Sequence, residues 1–490
     1  MDYPGHPSGS LLIKSSCPVN RDVLFLTAMI KRKQELEVTI ERVAYGGKGI
    51  AHVNDFVIFV ENSIPGDRVR VKIKKSHTNY GEAFPLELLE PSPDRINAPC
   101  RHFGYCGGCK WQNLPYMKQL EYKKSIVAES LAHIAGIPFA AVRETLPAPL
   151  EFGYRNKMEF SFTENRWLPP EDLLNPEIQK DFGLGFHVPR SFFHIMDIEE
   201  CLLQSDLLND ILSFSKEFFR NAGVSVFHPR KHTGVLRYLV LRQSSHFREV
   251  MVNVVTSEEM PEVLAPFAKE LQQKFPAVVS VINNVNRRLA QVAVGDDEFL
   301  LAGKPFIREK LGSYVFEISA NSFFQTNSLQ AEHLYRVVKE FASPRDGVVW
   351  DLYCGAGSIS LFLSAEAREV YGFELAESAV RDARNNAERN AVTNCKFISG
   401  DLRRQILNFR SLPAPDVLIC DPPRSGMHKD VVNAILRINP AVIVYVSCNP
   451  ATMARDIEIL AQNYEIKECQ PVDMFPHTYH IETVVKLARR

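Results

Sequence analysis

Apolar and polar residues alternate with a period of two through the first readable part of the chain. Glu37-Val38-Thr39-Ile40-Glu41-Arg42-Val43 leads into the turn signal Tyr45-Gly46-Gly47-Lys48-Gly49, then into Phe56–Asn62 and Arg68–Lys75. Short strands divided by glycine turns predict a small β-barrel over residues 35–92, ended by the linker Pro91-Ser92-Pro93. In its last strand Arg68, Arg70, Lys72 and Lys74 share one face, and Val69, Val71 and Ile73 share the other. That basic face is either a solvated exterior or a phosphate-tracking stripe. Residues 93–304 mix periods. Lys118–Ile134 is helical in pattern, and Gly153–Thr163 and Gly183–Ile195 are strand-like around a Pro- and acid-rich insert at Leu168–Asp181, expected to be a surface loop. Tyr238–Arg242 and Val250–Val255 alternate strongly. From 305 to 490 strand and helix patterns follow each other at short intervals, which predicts a doubly wound α/β sheet. Residues 1–34 are expected to be a poorly ordered extension, and part of 115–150 to pack on the 305–490 domain.

Composition narrows the class. The chain has 490 residues, 45% of them hydrophobic and 23% charged, enough for several buried cores. Its 57 Lys+Arg against 58 Asp+Glu exclude polyanion binding by bulk charge and leave only local basic faces. No apolar run approaches the roughly 20 residues of a membrane span. Val23–Ile30 is followed, not preceded, by Lys31-Arg32-Lys33, the wrong order for a secretory signal. A cytoplasmic monomer without membrane contact is expected.

Chemistry concentrates in the last third. The strand pattern Val348–Leu352 runs into Tyr353-Cys354-Gly355-Ala356-Gly357-Ser358 and a helix, a turn where Gly355 and Gly357 let a ligand approach the backbone. Glu374 ends the next strand, where it can accept hydrogen bonds from ribose hydroxyls. Asp401 follows a third strand, and Asp421-Pro422-Pro423 a fourth. A dinucleotide fingerprint is not completed, because Ser360 stands at its last glycine position. The series resembles instead the class I S-adenosylmethionine-dependent methyltransferases, which implies a Rossmann-like seven-strand sheet with Glu374 at the ribose and Asp401 beside the adenine.

Arg424 after Pro-Pro offers no aromatic face for an amino-nitrogen acceptor. After the fifth strand, Ser447-Cys448-Asn449-Pro450 puts a thiol at a strand's carboxyl end and before a helix, a setting expected to lower its pKa. A thiolate suits methylation at uracil C5. Adding it to C6 makes C5 nucleophilic, and after methyl transfer a base removes the C5 proton so that the thiol can leave. Glu482, in the polar loop opening the last strand, is the candidate base. A buried small side chain is the plainer reading of Cys448, and a surface carboxylate that of Glu482.

Four separated motifs then resemble one family. Ser447-Cys448-Asn449-Pro450 with Thr452 and Arg455-Asp456, Asp421-Pro422-Pro423-Arg424, Asn321–Asn327 and His480-Ile481-Glu482-Thr483 are similar to the RNA uracil-C5 methyltransferases, in domain order over residues 35–490. The resemblance implies Cys448 as nucleophile and Glu482 as proton acceptor. It also implies Gln325, Tyr353, Ser358, Glu374, Asp401 and Asp421 as methyl-donor contacts. Family members often have Phe at Tyr353 and Asn at Ser358, and serine has the shorter reach. Cytosine-C5 enzymes typically carry a further Cys where Arg424 stands; a non-catalytic RNA-assembly factor would not need Cys448 and Glu482.

Cys100, Cys106 and Cys109 fall within ten residues, with Gly107-Gly108 allowing a tight turn, and Cys201 is the nearest candidate for a fourth thiol. On spacing alone, zinc and iron–sulfur are both open, with a disulfide a lesser option. The family resemblance implies a [4Fe–4S] cluster in a central α+β domain. It also makes the 35–92 barrel similar to an OB-like TRAM module, which favours the phosphate reading of Arg68, Arg70, Lys72 and Lys74. The RNA expected from barrel plus cluster is 23S ribosomal RNA, with the tRNA T-loop as the alternative.

Overall fold

A computed structural model describes residues 30–137, 142–191, 193–406 and 412–490. Residues 1–29 of the expected extension, Cys17 among them, lie outside the described residues. Its last residues do not hang free. Ile30 is buried in the core of the first sheet and its carbonyl accepts from Ser76 Oγ, while Lys33 N donates to Ile73 O at 2.8 Å.

The first sheet holds β1 (Glu35–Thr39), β2 (Arg42–Val43), β3 (Gly49–Val53), β4 (Phe56–Val60), β5 (Arg68–Ser76) and β6 (Tyr80–Glu90), in the order β1-β5-β6-β4-β3-β2. Alternation in β5 buries Val69, Val71 and Ile73 and exposes Arg68 and Arg70. The predicted barrel is here a six-stranded sheet. Among the described residues no ladder joins its end strands β1 and β2.

The second sheet contains β7 (Lys157–Thr163), β8 (Gly183–His187), β9 (Ile195–Asp197), β10 (Leu236–Gln243), β11 (Val250–Thr256), β12 (Val278–Val285) and β13 (Asp297–Gly303). Its order is β13-β12-β11-β10-β7-β8-β9, and only β11 and β12 run parallel. The strand expected over Gly183–Ile195 is broken in two, since Pro189 has no N–H for a ladder and Arg190 turns at φ 66°. The Leu168–Asp181 insert carries one exposed 3-10 turn, Asp172–Leu174. Helices α2 (Asp206–Asn221) and α3 (Pro261–Lys274) cover one face, with Phe162, Phe219 and Phe267 packed between them and the sheet.

A hairpin of β14 (Phe306–Leu311) and β15 (Tyr314–Ser319) leads to the third sheet, built from β16 (Val348–Leu352), β17 (Glu369–Glu374), β18 (Cys395–Ser399), β19 (Val417–Cys420), β20 (Val442–Ser447), β21 (Tyr464–Val472) and β22 (Glu482–Arg489). Its order is β18-β17-β16-β19-β20-β22-β21, parallel except for β22 against its two neighbours. The central strands read as apolar runs, interrupted by Asp351 in β16 and ended by Ser447 in β20, because both faces are buried. They lie under α4 (Ser328–Ala342), α5 (Ser358–Ser364), α6 (Glu377–Arg389), α7 (Leu402–Gln405), α8 (Lys429–Ile438) and α9 (Pro450–Leu460). Strand order reverses between the parallel neighbours β16 and β19, since the chain builds outward to β18 on one side and then from β19 on the other, and ligands of such sheets bind outside the carboxyl ends at that point.

One earlier helix, α1 (Tyr116–His133), belongs to this third unit. It packs Val127, Ala128 and Leu131 into the core beneath β20 and α9, and residues 142–146 then run beside β21, with Arg143 N on Cys469 O and Leu146 N on Pro471 O, both at 2.9 Å. Lys123 of α1 is fully buried and ion-paired with Asp473, and its Nζ also donates to the Phe475 carbonyl at 3.1 Å. No described helix is long and apolar enough to cross a membrane.

Candidate active site

At the carboxyl ends of β16, β17, β19 and β20 the third sheet opens into a cavity of about 1230 Å³. Gln325, Tyr353, Gly355, Ser358, Glu374, Asp401 and Asp421 all line it, and so do Cys448 and Glu482. Motifs far apart in sequence thus meet in one space. Gly357 stands behind the wall. It caps α5 at φ 80°, and a Cβ there would come within 2.9 Å of the Phe397 ring, so packing as well as conformation requires glycine. Tyr353, also in the lining, has a positive φ of 67°, a conformation that costs a tyrosine energy.

Backbone donors hold Glu374: Gly355 N reaches Oε2 at 3.2 Å and Ala376 N reaches Oε1 at 2.9 Å. Asp401 caps α7 through Arg403 N at 3.0 Å and pairs with the Arg403 guanidinium at 2.7 Å, which keeps its carboxyl below the usual range. The short side chain of Ser358 is met by Tyr335 of α4, whose hydroxyl lies 3.0 Å from Ser358 Oγ. Burial raises Asp421 to about 7.

Cys448 and Glu482 face each other electrostatically. The sequence expectation of a lowered thiol pKa is corrected here, because burial, then the nearby Glu482, push Cys448 up to about 11. A helix terminus is worth at most about 2 kcal/mol, and the N-cap of α9 is Asn449, which leaves Cys448 one residue outside the helix. Arg424 opposes the shift, both by its charge and by donating to the thiol. Burial also raises Glu482 well above the ordinary carboxyl range, with Asp421 adding to the rise and Arg424 opposing it. The cavity therefore favours neutral acids until positive charge enters it.

A second cavity of about 540 Å³ shares Phe323, Phe324, Thr326 and His480 with the first, and Cys100, Cys106, Cys109 and Cys201 all line it. Gly108 N donates to Cys106 Sγ at 3.4 Å and Gln112 Nε2 to Cys109 Sγ at 3.2 Å. Among the described residues, no three His, Cys, Asp or Glu side chains stand close enough together to hold a metal ion. Lys110 N and Trp111 N, just after the last clustered cysteine, donate to the His477 carbonyl at 2.9 and 3.0 Å and so tie this loop to the one carrying Glu482.

The basic face of β5 is not a bare stripe. Register sets Glu35 opposite Lys72 and Glu37 opposite Arg70 on one side, with Glu90 opposite Arg68 and Glu87 opposite Arg70 on the other. Arg68 pairs with Glu37 and Glu90, Arg70 with Glu87, and Lys72 with Glu35. With Lys74 the face carries four bases and four acids. The face is therefore mixed in charge.

Three residues of the cavity lining and one that contacts Cys448 went unassigned in the sequence reading. Arg424 is a counter-charge to both acids of the centre. His480 lines both cavities, kept neutral by burial and nearby cations, with Nδ1 buried and unpartnered. Tyr335 carries no local signal separating it from a core aromatic. Tyr45 arrives from the turn before β3, and its hydroxyl donates to the Cys448 carbonyl at 2.9 Å.

Known proteins match both ends of this arrangement. Residues 243–490 fit the family model described as tRNA (Uracil-5-)-methyltransferase, and residues 31–86 fit the TRAM domain. Uncharacterized RNA methyltransferases of Chlorobaculum tepidum and Bacteroides thetaiotaomicron are each 40% identical, over 87% and 91% of this chain and 90% and 100% of theirs. The crystal structure of Pyrococcus abyssi tRNA (uracil-54, C5)-methyltransferase with S-adenosyl-L-homocysteine superimposes with a TM-score of 0.71 at 32% identity, covering 92% of this chain and all of that one. Fold, donor-binding sheet and RNA-binding module agree, and the chain belongs to the S-adenosylmethionine-dependent RNA (uracil-5-)-methyltransferases, with an N-terminal TRAM domain.

Proposed function

We propose that Cys448 adds to C6 of a flipped-out uridine, that C5 then takes the methyl group from S-adenosylmethionine, and that Glu482 accepts the C5 proton before the thiol is eliminated. The donor contacts are Gln325, Tyr353, Gly355, Ser358, Glu374, Asp401 and Asp421, with Gly357 shaping the turn. One observation carries the reading: thiol, carboxyl and donor-side residues line a single cavity at the sheet's switch point. RNA containing 5-fluorouridine tests it, since fluorine at C5 cannot leave as a proton. Protein, this RNA and S-adenosylmethionine should form a complex that survives denaturation and carries the transferred methyl group. Methylation without any trapped complex would refute the adduct.

The preference for 23S ribosomal RNA gives way to a T-loop uridine in tRNA. The P. abyssi relative is named for tRNA, and its superposition covers too much of this chain to leave out the small sheet and the cysteine loop together. The small sheet therefore does not favour the ribosome. Transcripts of tRNA and of 23S RNA, offered together, should be methylated in favour of the tRNA, and the reverse preference would restore the ribosomal reading.

Activity should rise with pH. Asp421, Cys448 and Glu482 each have a folded-state pKa above the ordinary value, so the ionised forms used for donor binding, attack and proton abstraction gain population as pH climbs. The profile of kcat/KM should increase from pH 7 toward the Cys448 value of about 11, until the fold fails. The profile of kcat should lie at lower pH, because a bound sulfonium favours the anions. A kcat/KM that falls above neutrality contradicts this.

The thiol cavity is read as a [4Fe–4S] site held by Cys100, Cys106, Cys109 and Cys201. The four thiols line one cavity without converging on a point that a single ion could fill, a spread that suits a multi-iron cluster better than one zinc, and two of them accept N–H···S hydrogen bonds of the kind that tune cluster sulfurs. Methyl transfer moves no electrons, so the cluster would staple the loop that ends on His477. Anaerobically purified protein should contain about four irons and four sulfides per chain. One zinc and no sulfide would replace the assignment.

A further inference from the structure

The loop carrying Cys448 is secured on its helix side by its own neighbours. Asn449 Oδ1 accepts from Ala451 N at 3.2 Å, its amide donates to the Arg424 carbonyl at 3.0 Å, and Thr452 Oγ1 donates to the same carbonyl at 3.2 Å. Ser447 Oγ donates to Asn449 O and accepts from Asn449 N, at 3.1 and 3.0 Å. On the strand side, the β20–β22 ladder ends at Ser447 opposite Thr483. The Cys448 carbonyl lies one residue past that pair, and the sheet does not hold it. Its partner is Tyr45 Oη at 2.9 Å, from 403 residues earlier in the chain.

Tyr45 is itself fixed. Its turn is closed by Ala44 N on Lys48 O at 2.8 Å and Gly47 N on Ala44 O at 3.0 Å, with Gly46 and Gly47 at φ 100° and 76°. The ring meets Tyr479 edge-on, with centroids 5.6 Å apart, and Tyr479 stands three residues before Glu482. One aromatic side chain of the TRAM domain therefore touches both segments that carry the proposed chemistry.

We propose that Tyr45 is a positioning residue for methyl transfer: its hydroxyl fixes the Cys448 carbonyl, and with it the aim of the thiol, so the TRAM domain contributes to the chemical step as well as to RNA binding. Carbonyl direction and thiol position depend on the same backbone torsions, so releasing one loosens the other. Small errors in the attack geometry cost rate rather than affinity. The inference rests on Cys448 as nucleophile.

The test compares the full-length protein with Tyr45→Phe and Tyr45→Leu, using 5-fluorouridine RNA and S-adenosylmethionine under single-turnover conditions. Phenylalanine keeps the ring contact with Tyr479 and removes only the hydroxyl. It should slow adduct formation at saturating RNA roughly tenfold, the order of one lost hydrogen bond, while leaving RNA affinity, S-adenosyl-L-homocysteine affinity and Tm unchanged. A wild-type rate for Tyr45→Phe overturns the proposal, including when Tyr45→Leu is slow, because the ring would then act by packing alone. Weaker RNA binding at an unchanged saturated rate also overturns it, by making Tyr45 an RNA contact. The underlying reading fails on a different result: adduct that still forms in Cys448→Ala.

Discussion

Cys448→Ala should abolish trapping by 5-fluorouridine RNA and lower methylation by on the order of 10⁴-fold or more, the scale of losing a covalent nucleophile. The proposed methyl-donor contacts are other residues of the cavity wall, so affinity for S-adenosyl-L-homocysteine should stay within about twofold. Folding should survive. The Cys448 side chain sits at a cavity wall, not in a packed core, and removing one sulfur there leaves no sealed void. That combination separates chemistry from structure. If donor affinity and methylation fell together, Cys448 would be part of the donor pocket's wall. If trapping persisted, another group would be the nucleophile. Cys420 could not easily serve: it is fully buried, one residue before Asp421, and absent from the cavity lining.

The third sheet was legible because its parallel strands are buried on both faces. Val348–Leu352, Val417–Cys420 and Val442–Ser447 are apolar apart from Asp351 and the terminal Ser447, and each is followed directly by residues that line the cavity. Position at a strand's carboxyl end carries chemical meaning in such a fold, so local motifs sufficed to name the cavity wall.

What escaped the sequence reading was decided by contacts between distant segments. Lys123 lies in a helix rich in lysine and reads as solvated, yet it is fully buried against Asp473, 350 residues away. Removing one partner of such a pair would strand a charge at a cost of about 3–5 kcal/mol, so the pair pins the loop leading to Glu482. The acids beside the basic stripe of β5 escaped for a related reason. Alternation shows which face a residue takes, but not what the neighbouring strands set opposite, and the register brought glutamates. The thiol pKa failed on magnitude: adjacency to a helix start is visible in sequence, whereas the burial that outweighs it is not.

Glu482→Gln should do something different from losing the nucleophile: it should stop the reaction after methyl transfer. The amide keeps the shape of a buried side chain and cannot accept the C5 proton, so a methylated Cys448–RNA adduct should accumulate on ordinary, fluorine-free RNA. Multiple turnover should drop on the order of 10²–10⁴-fold, the range for removing a general base. The charge history of the cavity explains why a carboxyl with a raised pKa suits this step. In the proposed mechanism the sulfonium's positive charge and that of Arg424 would hold Glu482 ionised against the burial that favours its protonated form. Methyl transfer turns the sulfonium into a neutral thioether and would withdraw that support. Glu482 would then become a stronger proton acceptor at the moment C5 must lose its proton. Denaturing electrophoresis of Glu482→Gln with tRNA should show the retarded band, and mass spectrometry should find the extra methyl in it. A slow variant with no such band would put Glu482 before methyl transfer, and one that turns over at the wild-type rate would remove it from the chemistry.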